Sequence, residues 1–128
     1  MRWLAFRIFN QAADKENRRF AIRESQAVES IPFSGVMAEP NAPDGVLGVL
    51  RYRSRPVRVF DLGPSMGLGP CSLPQTVRVL IARQTRTSSA IGIAVQPELE
   101  EVSSLDVPGL QIVDLRLLAR TGRGGGAG

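Results

Sequence analysis

Short apolar segments alternate with polar or Gly/Pro-rich segments along most of the chain. In residues 76–83, which show the pattern most clearly, Val77, Val79 and Ile81 fall on one face of an extended backbone, and the residues between them fall on the other. This period of two, together with the many β-branched residues, predicts strands rather than helices. We predict strands over residues 2–9, 20–22, 26–31, 46–50, 56–62, 76–83, 90–95, 102–105 and 109–113.

The segments between these strands are typical of loops and turns. Glycine and proline recur in residues 32–45 and 63–75, and polar residues fill 10–18 and 84–89. Asp114 is expected to cap a single helical turn over residues 115–119. No long helical pattern is found, and turns recur at spacings of about 8–12 residues, as in small barrels and sandwiches. We therefore expect an all-β fold.

The composition argues against several kinds of chemistry. The chain has 128 residues, of which 43% are hydrophobic, enough for one domain with its own core. It contains no histidine, the commonest general base and metal ligand, and Cys71 is the only cysteine, so no intrachain disulfide or Cys-rich zinc site can form. We expect no enzyme activity, no metal and no cofactor, and an enzyme using Asp, Glu, Ser or Cys is the least favoured alternative.

The charge and the hydrophobic runs bear on partners and location. The formal net charge is +4, the pI is near 10.5, and Lys15 is the only lysine among the basic residues. A basic chain favours an acidic protein surface or a nucleic acid as partner, without choosing between them. Residues 1–9 are too short for a signal-peptide core, and no apolar run reaches the roughly 18 residues of a membrane span. We expect a cytoplasmic protein with no membrane insertion.

Three arginines form the first candidate site. Arg51, Arg53 and Arg55 alternate along the end of a predicted strand, so they are expected on one face with Tyr52 beside them. Guanidinium groups match carboxylates and phosphates, so one interpretation is a partner-binding surface, and a solvated strand face is the other. A small barrel that binds single-stranded nucleic acid is a further alternative. Only Tyr52 is available to stack on bases, so nucleic acid is the less favoured partner.

Acidic residues at strand ends have simpler explanations than catalysis. Glu98, Glu100 and Glu101 are adjacent, and paired carboxylates can transfer protons, but surface glutamates at a strand end are expected to be solvent charges. Asp61 follows an apolar strand, where its carboxylate is expected to accept backbone N–H groups of the next turn.

The order of these segments resembles the CheW-like family. Residues 40–54 followed by 59–62 are similar to that family's Pro-containing loop, Gly-hydrophobic strand, Leu-Arg-Gly turn and strand ending in Asp-Leu. Residues 20–22 and 27–29 are similar to its early strand and Val-x-Glu element. Residues 76–83 and 90–95 are similar to its second-half hairpin, and 111–115 to its closing strand. The resemblance spans residues 1–119.

This resemblance implies two linked five-stranded SH3-like barrels and a short C-terminal helix. The barrels would be near residues 1–62 and 63–119, with exchange of strands between them left open, and residues 120–128 would be a disordered Gly-rich tail. The implied function is a non-enzymatic adaptor that couples the cytoplasmic tips of chemoreceptors to the regulatory domain of a histidine kinase. The family's turn arginine falls on Arg53 and its strand glutamate on Glu29, so both are expected to contact partners, with Arg51 and Arg55 beside them.

Three departures from the family pattern concern the turn and the second barrel. Ser54 stands where the family has the turn glycine, and serine resists positive φ, so the turn is expected to differ. Gln96-Pro97 stands where the family has an aspartate, and the segment after Leu105 is shorter than usual. A shortened second barrel need not close, which would leave strand edges open.

Overall fold

The computed structural model describes residues 1–34, 45–68 and 76–118. Nine strands form in these segments: β1 (Trp3–Phe6), β2 (Arg19–Arg23), β3 (Ala27–Ser34), β4 (Val46–Tyr52), β5 (Arg55–Phe60), β6 (Thr76–Ala82), β7 (Ile91–Val95), β8 (Leu99–Val102) and β9 (Leu110–Ile112). The helical elements are α1 (Gln11–Lys15), a 3-10 turn (Glu24–Gln26), α2 (Leu62–Ser65) and a helical turn over residues 115–118. The predicted tail at 120–128 and Cys71 lie outside the described residues.

The strands form two sheets, which confirms the all-β prediction. The middle sheet has the order β3-β6-β7-β5-β4 and uses strands from the centre of the chain. The terminal sheet has the order β8-β1-β2-β9 and combines strands from both ends. The predicted hairpin of the first two strands is present, with Leu4 opposite Ile22 and Phe6 opposite Phe20.

The sheets do not divide the chain near residue 62. The first two strands and the last two belong together, and the middle sheet extends continuously from β3 to β7 between them. The terminal sheet therefore combines strands from before and after residue 62. The terminal sheet has four strands within the described residues, one fewer than the implied five.

Two hydrophobic clusters explain why several strands are apolar on both faces. In β6, Val77, Val79 and Ile81 pack in a cluster enclosed by the middle sheet. Leu80 and Ala82, on the other face of β6, belong to a second and larger cluster. This larger cluster lies between the two sheets and includes Phe6, Phe20, Phe60, Leu62 and Ile93. Fully burying a side chain of this size is worth about 1.5–3 kcal/mol, so the interface between the sheets is a major source of stability.

Three short segments differ from the sequence prediction. Residues 10–18 were predicted to be a loop, but α1 forms within them, because Asn10 accepts a hydrogen bond from the Ala13 N–H as an N-cap and Ala13 is buried. Helix α2 forms where the last residue of the predicted strand 56–62 and the first residues of the predicted loop 63–75 were expected. The strand predicted at 102–105 lies at 99–102, where it pairs with β1. The predicted turn after Asp114 is present, since its Oδ1 accepts the Arg116 N–H at 2.9 Å.

Candidate functional site

The turn between β4 and β5 places Arg53 and Ser54 at the tip of a two-residue hairpin. Tyr52 pairs with Arg55 across the turn, and the φ angles of Arg53 and Ser54 are 49° and 65°. Two positive φ angles are the requirement of a type I′ turn, in which Asn-Gly is the usual choice. Ser54 therefore adopts the conformation for which the family uses glycine. This backbone directs the Arg53 side chain outward, and it is 75% exposed.

A cluster of three side chains joins this turn to β3. The Tyr52 hydroxyl donates a hydrogen bond to Glu29 Oε2 at 2.5 Å, and Arg53 lies 3.9 Å from the same oxygen. The Arg53 guanidinium also lies 5.1 Å from the centre of the Tyr52 ring, within the range of a cation–π contact. The structure thus brings together Glu29 and Arg53, the two residues that the family resemblance predicted to contact partners. We call Glu29, Tyr52 and Arg53 the tip cluster.

The tip cluster changes the acidity of the tyrosine. The hydrogen bond to the Glu29 carboxylate raises the pKa of Tyr52 above its ordinary value, and partial desolvation adds to this effect. The positive charge of Arg53 acts in the opposite direction and lowers it. The net effect is an increase, so the Tyr52 hydroxyl, which is protonated at neutral pH in any case, keeps its proton to a higher pH than a free tyrosine.

A cleft of about 710 Å³ opens beside the tip cluster, between the β4–β5 turn and the β6–β7 connection. Four arginines line this arginine cleft: Arg53, Arg55, Arg83 and Arg86. Its apolar lining consists of Val28, Pro56, Val57 and Ala90. Hydroxyl groups of Thr87, Ser88 and Ser89 complete it. The cleft is therefore basic at its rim and in contact with the edge of the middle-sheet core.

Hydrogen bonds hold the β6–β7 connection in place. The backbone N–H of Arg83 donates to Gln26 O at 2.8 Å, and a guanidinium nitrogen of Arg83 donates to Arg86 O at 3.4 Å. Among the described residues, no carboxylate forms an ion pair with Arg55, Arg83 or Arg86. Sequence reasoning treated residues 84–89 only as a polar turn and missed Arg83 and Arg86. The available signal was the presence of two arginines in the short connection between two strong strands.

Arg51 does not lie on the same face as Arg55, so the expected row of three arginines is wrong. Residues directly opposite each other in an antiparallel pair share a face, and Arg51 is opposite Pro56 while Tyr52 is opposite Arg55. Arg53 lies in the turn, where strand alternation no longer holds. Arg51 therefore lies on the hairpin face that carries Val49 and Arg58, and it is not among the residues that line the cleft.

The other polar positions are in structural roles. Asp61 Oδ1 accepts the Gly63 N–H at 2.9 Å and caps α2, as predicted from its place at a strand end. Glu100 and Glu101 lie in β8 and pair with Arg19 and Arg2 at 2.7 Å and 3.4 Å, which makes them surface ion pairs of the terminal sheet. Across the described ranges, no group of three or more acidic or Cys side chains is arranged to hold a metal ion.

Nucleic-acid binding through the arginine segment is not supported by this arrangement. Among the described residues, Tyr52 is the only aromatic side chain that lines the cleft, and its hydroxyl and ring both contact other members of the tip cluster. Stacking on bases needs an accessible aromatic face. No helix in the described part of the chain is long and apolar enough to cross a membrane.

Comparison with known families identifies the fold. The family model described as the CheW-like domain matches residues 12–118, which is most of the chain. The chain belongs to the CheW-like domain family. Both the Glu29 strand and the Arg53 turn lie within the matched residues, as does the connection that carries Arg83 and Arg86.

A solved structure shows the same CheW fold of two SH3-like β domains. It is the scaffolding protein TtCheW from Thermoanaerobacter tengcongensis, with a TM-score of 0.61 and 17% sequence identity. The match covers 84% of this chain and 64% of that one, so this CheW-like chain spans less than two thirds of the scaffold's length. Among curated proteins, no significant match is found.

The position that departs from the CheW-like pattern after β7 has a structural role here. The Gln96 side chain donates from Nε2 to Ile8 O at 3.0 Å, and its backbone N–H donates to Arg7 O at 2.8 Å. Gln96 thereby ties the end of the middle sheet to the segment that follows β1 in the terminal sheet.

Proposed function

We propose that this CheW-like protein is a non-enzymatic adaptor that couples the cytoplasmic tip of a chemoreceptor to the regulatory domain of a histidine kinase. Family membership supports the adaptor class, and the tip cluster supports the site. Arg53 is 75% exposed, its backbone is set by the positive-φ turn, and its guanidinium lies beside Glu29 and the Tyr52 ring. Because the turn already sets the backbone of this exposed tip, little backbone freedom is lost when a partner docks.

The proposed contact surface is the tip cluster together with Arg55. Glu29 is about half exposed, and Arg55 is exposed at the start of β5. An Arg–Glu pair at 3.9 Å in contact with water contributes little to stability, about 0–1 kcal/mol. Its side chains are therefore available to exchange partners, so that Arg53 binds a carboxylate and Glu29 a cation of the docked protein. Arg51, on the hairpin face opposite to Arg55, is assigned to a separate part of this surface.

The experiment that tests the adaptor role is a binding measurement with purified partners from the same genome. Arg53→Glu is expected to weaken binding to the kinase regulatory domain or the receptor tip at least tenfold, with an unchanged circular dichroism spectrum. Lys15→Glu gives the same change in charge at the exposed end of α1 and is expected to bind normally. Equal binding by all three proteins to every kinase and receptor fragment tried would overturn the proposal.

The assignment of Arg51 is tested in the same assay. Arg51→Glu changes the charge only two residues from Arg53, but on the hairpin face opposite to Arg55 and outside the cleft lining. Loss of binding confined to Arg53→Glu would place the partner on the cleft side. Equal loss in both variants would place it over the whole tip.

A further inference from the structure

We propose that the arginine cleft receives an acidic segment of the partner protein, in which carboxylates flank one or two apolar side chains. This inference rests on the proposed adaptor function and adds the chemistry of the docked segment. It also assigns a binding role to Arg83 and Arg86, which lie on a different connection from the tip cluster.

The charge of the cleft is the first argument. Arg53, Arg55, Arg83 and Arg86 line one cavity of about 710 Å³, and Glu29 provides a carboxylate to only the first of them. These like charges repel each other across the partly desolvated space. A bound carboxylate is attracted to the arginines and offsets this repulsion. Guanidinium groups are also the best side chains for bidentate binding of carboxylates.

The apolar lining is the second argument, because it limits the shape of the occupant. Val28, Val57 and Ala90 contact or belong to the middle-sheet core, and Pro56 adds a further apolar surface. A free anion would use the arginines and leave this lining exposed to water. A short peptide segment with one or two apolar side chains between acidic residues covers both, with the apolar groups inside and the carboxylates at the rim.

The same features argue against a nucleic acid in this cleft. Phosphates would satisfy the arginines, but the bases would need aromatic faces, and Tyr52 is already held by Glu29 and Arg53. Thr87, Ser88 and Ser89 instead supply hydroxyl groups, which can donate hydrogen bonds to the carboxylates or the backbone of a peptide.

The test is a nuclear magnetic resonance titration of the full chain with three probes. The first is an acetylated, amidated peptide of alternating glutamate and leucine, the second is its lysine–leucine counterpart, and the third is an oligothymidine of equal charge to the first. We expect saturable shifts with the acidic peptide only, centred on Tyr52, Arg83 and Arg86. The double variant Arg83→Ala/Arg86→Ala is expected to weaken this binding by about tenfold or more, since hydrogen bonds to charged groups are the strong ones.

Arg2→Ala is the matched control, because Arg2 is an exposed arginine that pairs with Glu101 on the terminal sheet. It is expected to bind the acidic peptide as the parent protein does. Shifts that never saturate, an equal loss in Arg2→Ala, or tighter binding of the oligothymidine than of the peptide would each overturn the inference.

A competition measurement separates this inference from the proposed adaptor function. If Arg53→Glu abolishes kinase or receptor binding while the peptide neither binds nor competes, the adaptor function stands and the cleft assignment fails. If the peptide binds in the cleft while no kinase or receptor fragment binds, the cleft chemistry stands and the adaptor function fails. Competition between the peptide and the natural partner supports both.

Discussion

At the scale of single residues, the candidate site depends on Tyr52. Its hydroxyl is bonded to Glu29 and its ring faces Arg53, so it connects β3 to the hairpin tip. It is also the only tyrosine of the chain. The ionisation of this one group can therefore be followed by ultraviolet absorbance without interference from a second phenol.

The first prediction concerns the pKa of Tyr52. In the parent protein, the tyrosinate absorbance is expected to develop at higher pH than in the unfolded chain, because the bond to the Glu29 carboxylate raises the pKa. Glu29→Gln keeps an acceptor oxygen but removes the charge, so the pKa is expected to fall towards the ordinary value. Glu98→Gln, at an exposed glutamate near β8, is the control and is expected to leave it unchanged. A pKa that is identical in the parent and Glu29→Gln would contradict the tip cluster.

The direction of the pKa shift also fixes a dependence of stability on pH. The folded state holds the tyrosine proton more tightly than the unfolded state, so this contribution is complete below the unfolded pKa. It is lost as the pH rises through the higher, folded pKa. The free energy of unfolding is therefore expected to decline over the alkaline range, and to decline less in Glu29→Gln, as measured by urea unfolding at a series of pH values.

The second prediction concerns Ser54, whose φ of 65° is uncommon for a residue with a Cβ. Ser54→Gly removes steric strain of about 1–2 kcal/mol from the folded state. It also gives the unfolded chain more conformational entropy, which favours unfolding by about 0.4–1 kcal/mol. We expect a net gain of about 0.5–1 kcal/mol in the free energy of unfolding, measured by chemical denaturation.

Ser103 provides the control for that prediction. It is exposed, and its φ lies outside the positive region, so Ser103→Gly relieves no strain and carries only the entropic cost. It is expected to be neutral or slightly destabilising. Equal effects at Ser54 and Ser103 would show that the turn is not strained.

At the scale of secondary-structure elements, the sequence predicted what depends on local periodicity. Strand β6 could be identified from alternation alone, and both of its faces prove to be buried in different clusters. Helix α1 could not be identified, because five residues are too few for a helical period to be visible. Its stability comes from the local Asn10 cap and from burial of Ala13, and only the burial is a tertiary effect.

The residues of the candidate site also divide into those that the sequence could predict and those that it could not. Glu29 and Arg53 were found through the family pattern, since their positions are fixed by the order of strands. Arg51 was placed on the wrong face because the sequence does not show where a strand ends and its turn begins. Arg83 and Arg86 reach the cleft only because the β6–β7 connection folds back towards Gln26, a contact between distant parts of the chain.

The third prediction concerns Gly92, in the strand at the centre of the middle sheet. A Cβ at this position would lie 2.7 Å from Val79 Cγ1 and 3.5 Å from the Arg58 carbonyl oxygen. Gly92→Ala is therefore expected to destabilise the protein by about 1–3 kcal/mol through overpacking, measured by urea unfolding.

A double-mutant cycle shows whether the clash with Val79 is the cause. Val79→Ala alone is expected to be destabilising, because it removes two buried methyl groups and leaves a cavity in their place. In Gly92→Ala/Val79→Ala, the new methyl group occupies part of that space, so the combined loss is expected to be smaller than the sum of the single losses. Strict additivity would place the cause elsewhere.

At the scale of the whole molecule, the chain leaves the terminal sheet, completes the middle sheet and then returns. Strands β8 and β9 pair with β1 and β2 although β3 to β7 separate them along the chain. The larger hydrophobic cluster then contains Phe6, Phe20 and Ile22 from the terminal sheet together with Phe60, Leu80 and Ile93 from the middle sheet. Neither sheet can cover this cluster alone.

Shared burial predicts that the two sheets unfold together. Separation would expose several fully buried side chains, each worth about 1.5–3 kcal/mol, against a typical total stability of about 5–15 kcal/mol. Trp3, the only tryptophan, reports on the terminal sheet by fluorescence, and Tyr52 reports on the middle sheet by absorbance. The two signals are expected to change at one urea concentration.

The variant Ile22→Val removes one buried methyl group from the terminal sheet. It is expected to lower the free energy of unfolding by about 0.5–1.5 kcal/mol, and therefore to lower both urea midpoints together. Two separate midpoints, or a shift confined to the tryptophan signal, would mean that the terminal sheet folds on its own, and the protein would then have two independently stable parts joined by a weak interface.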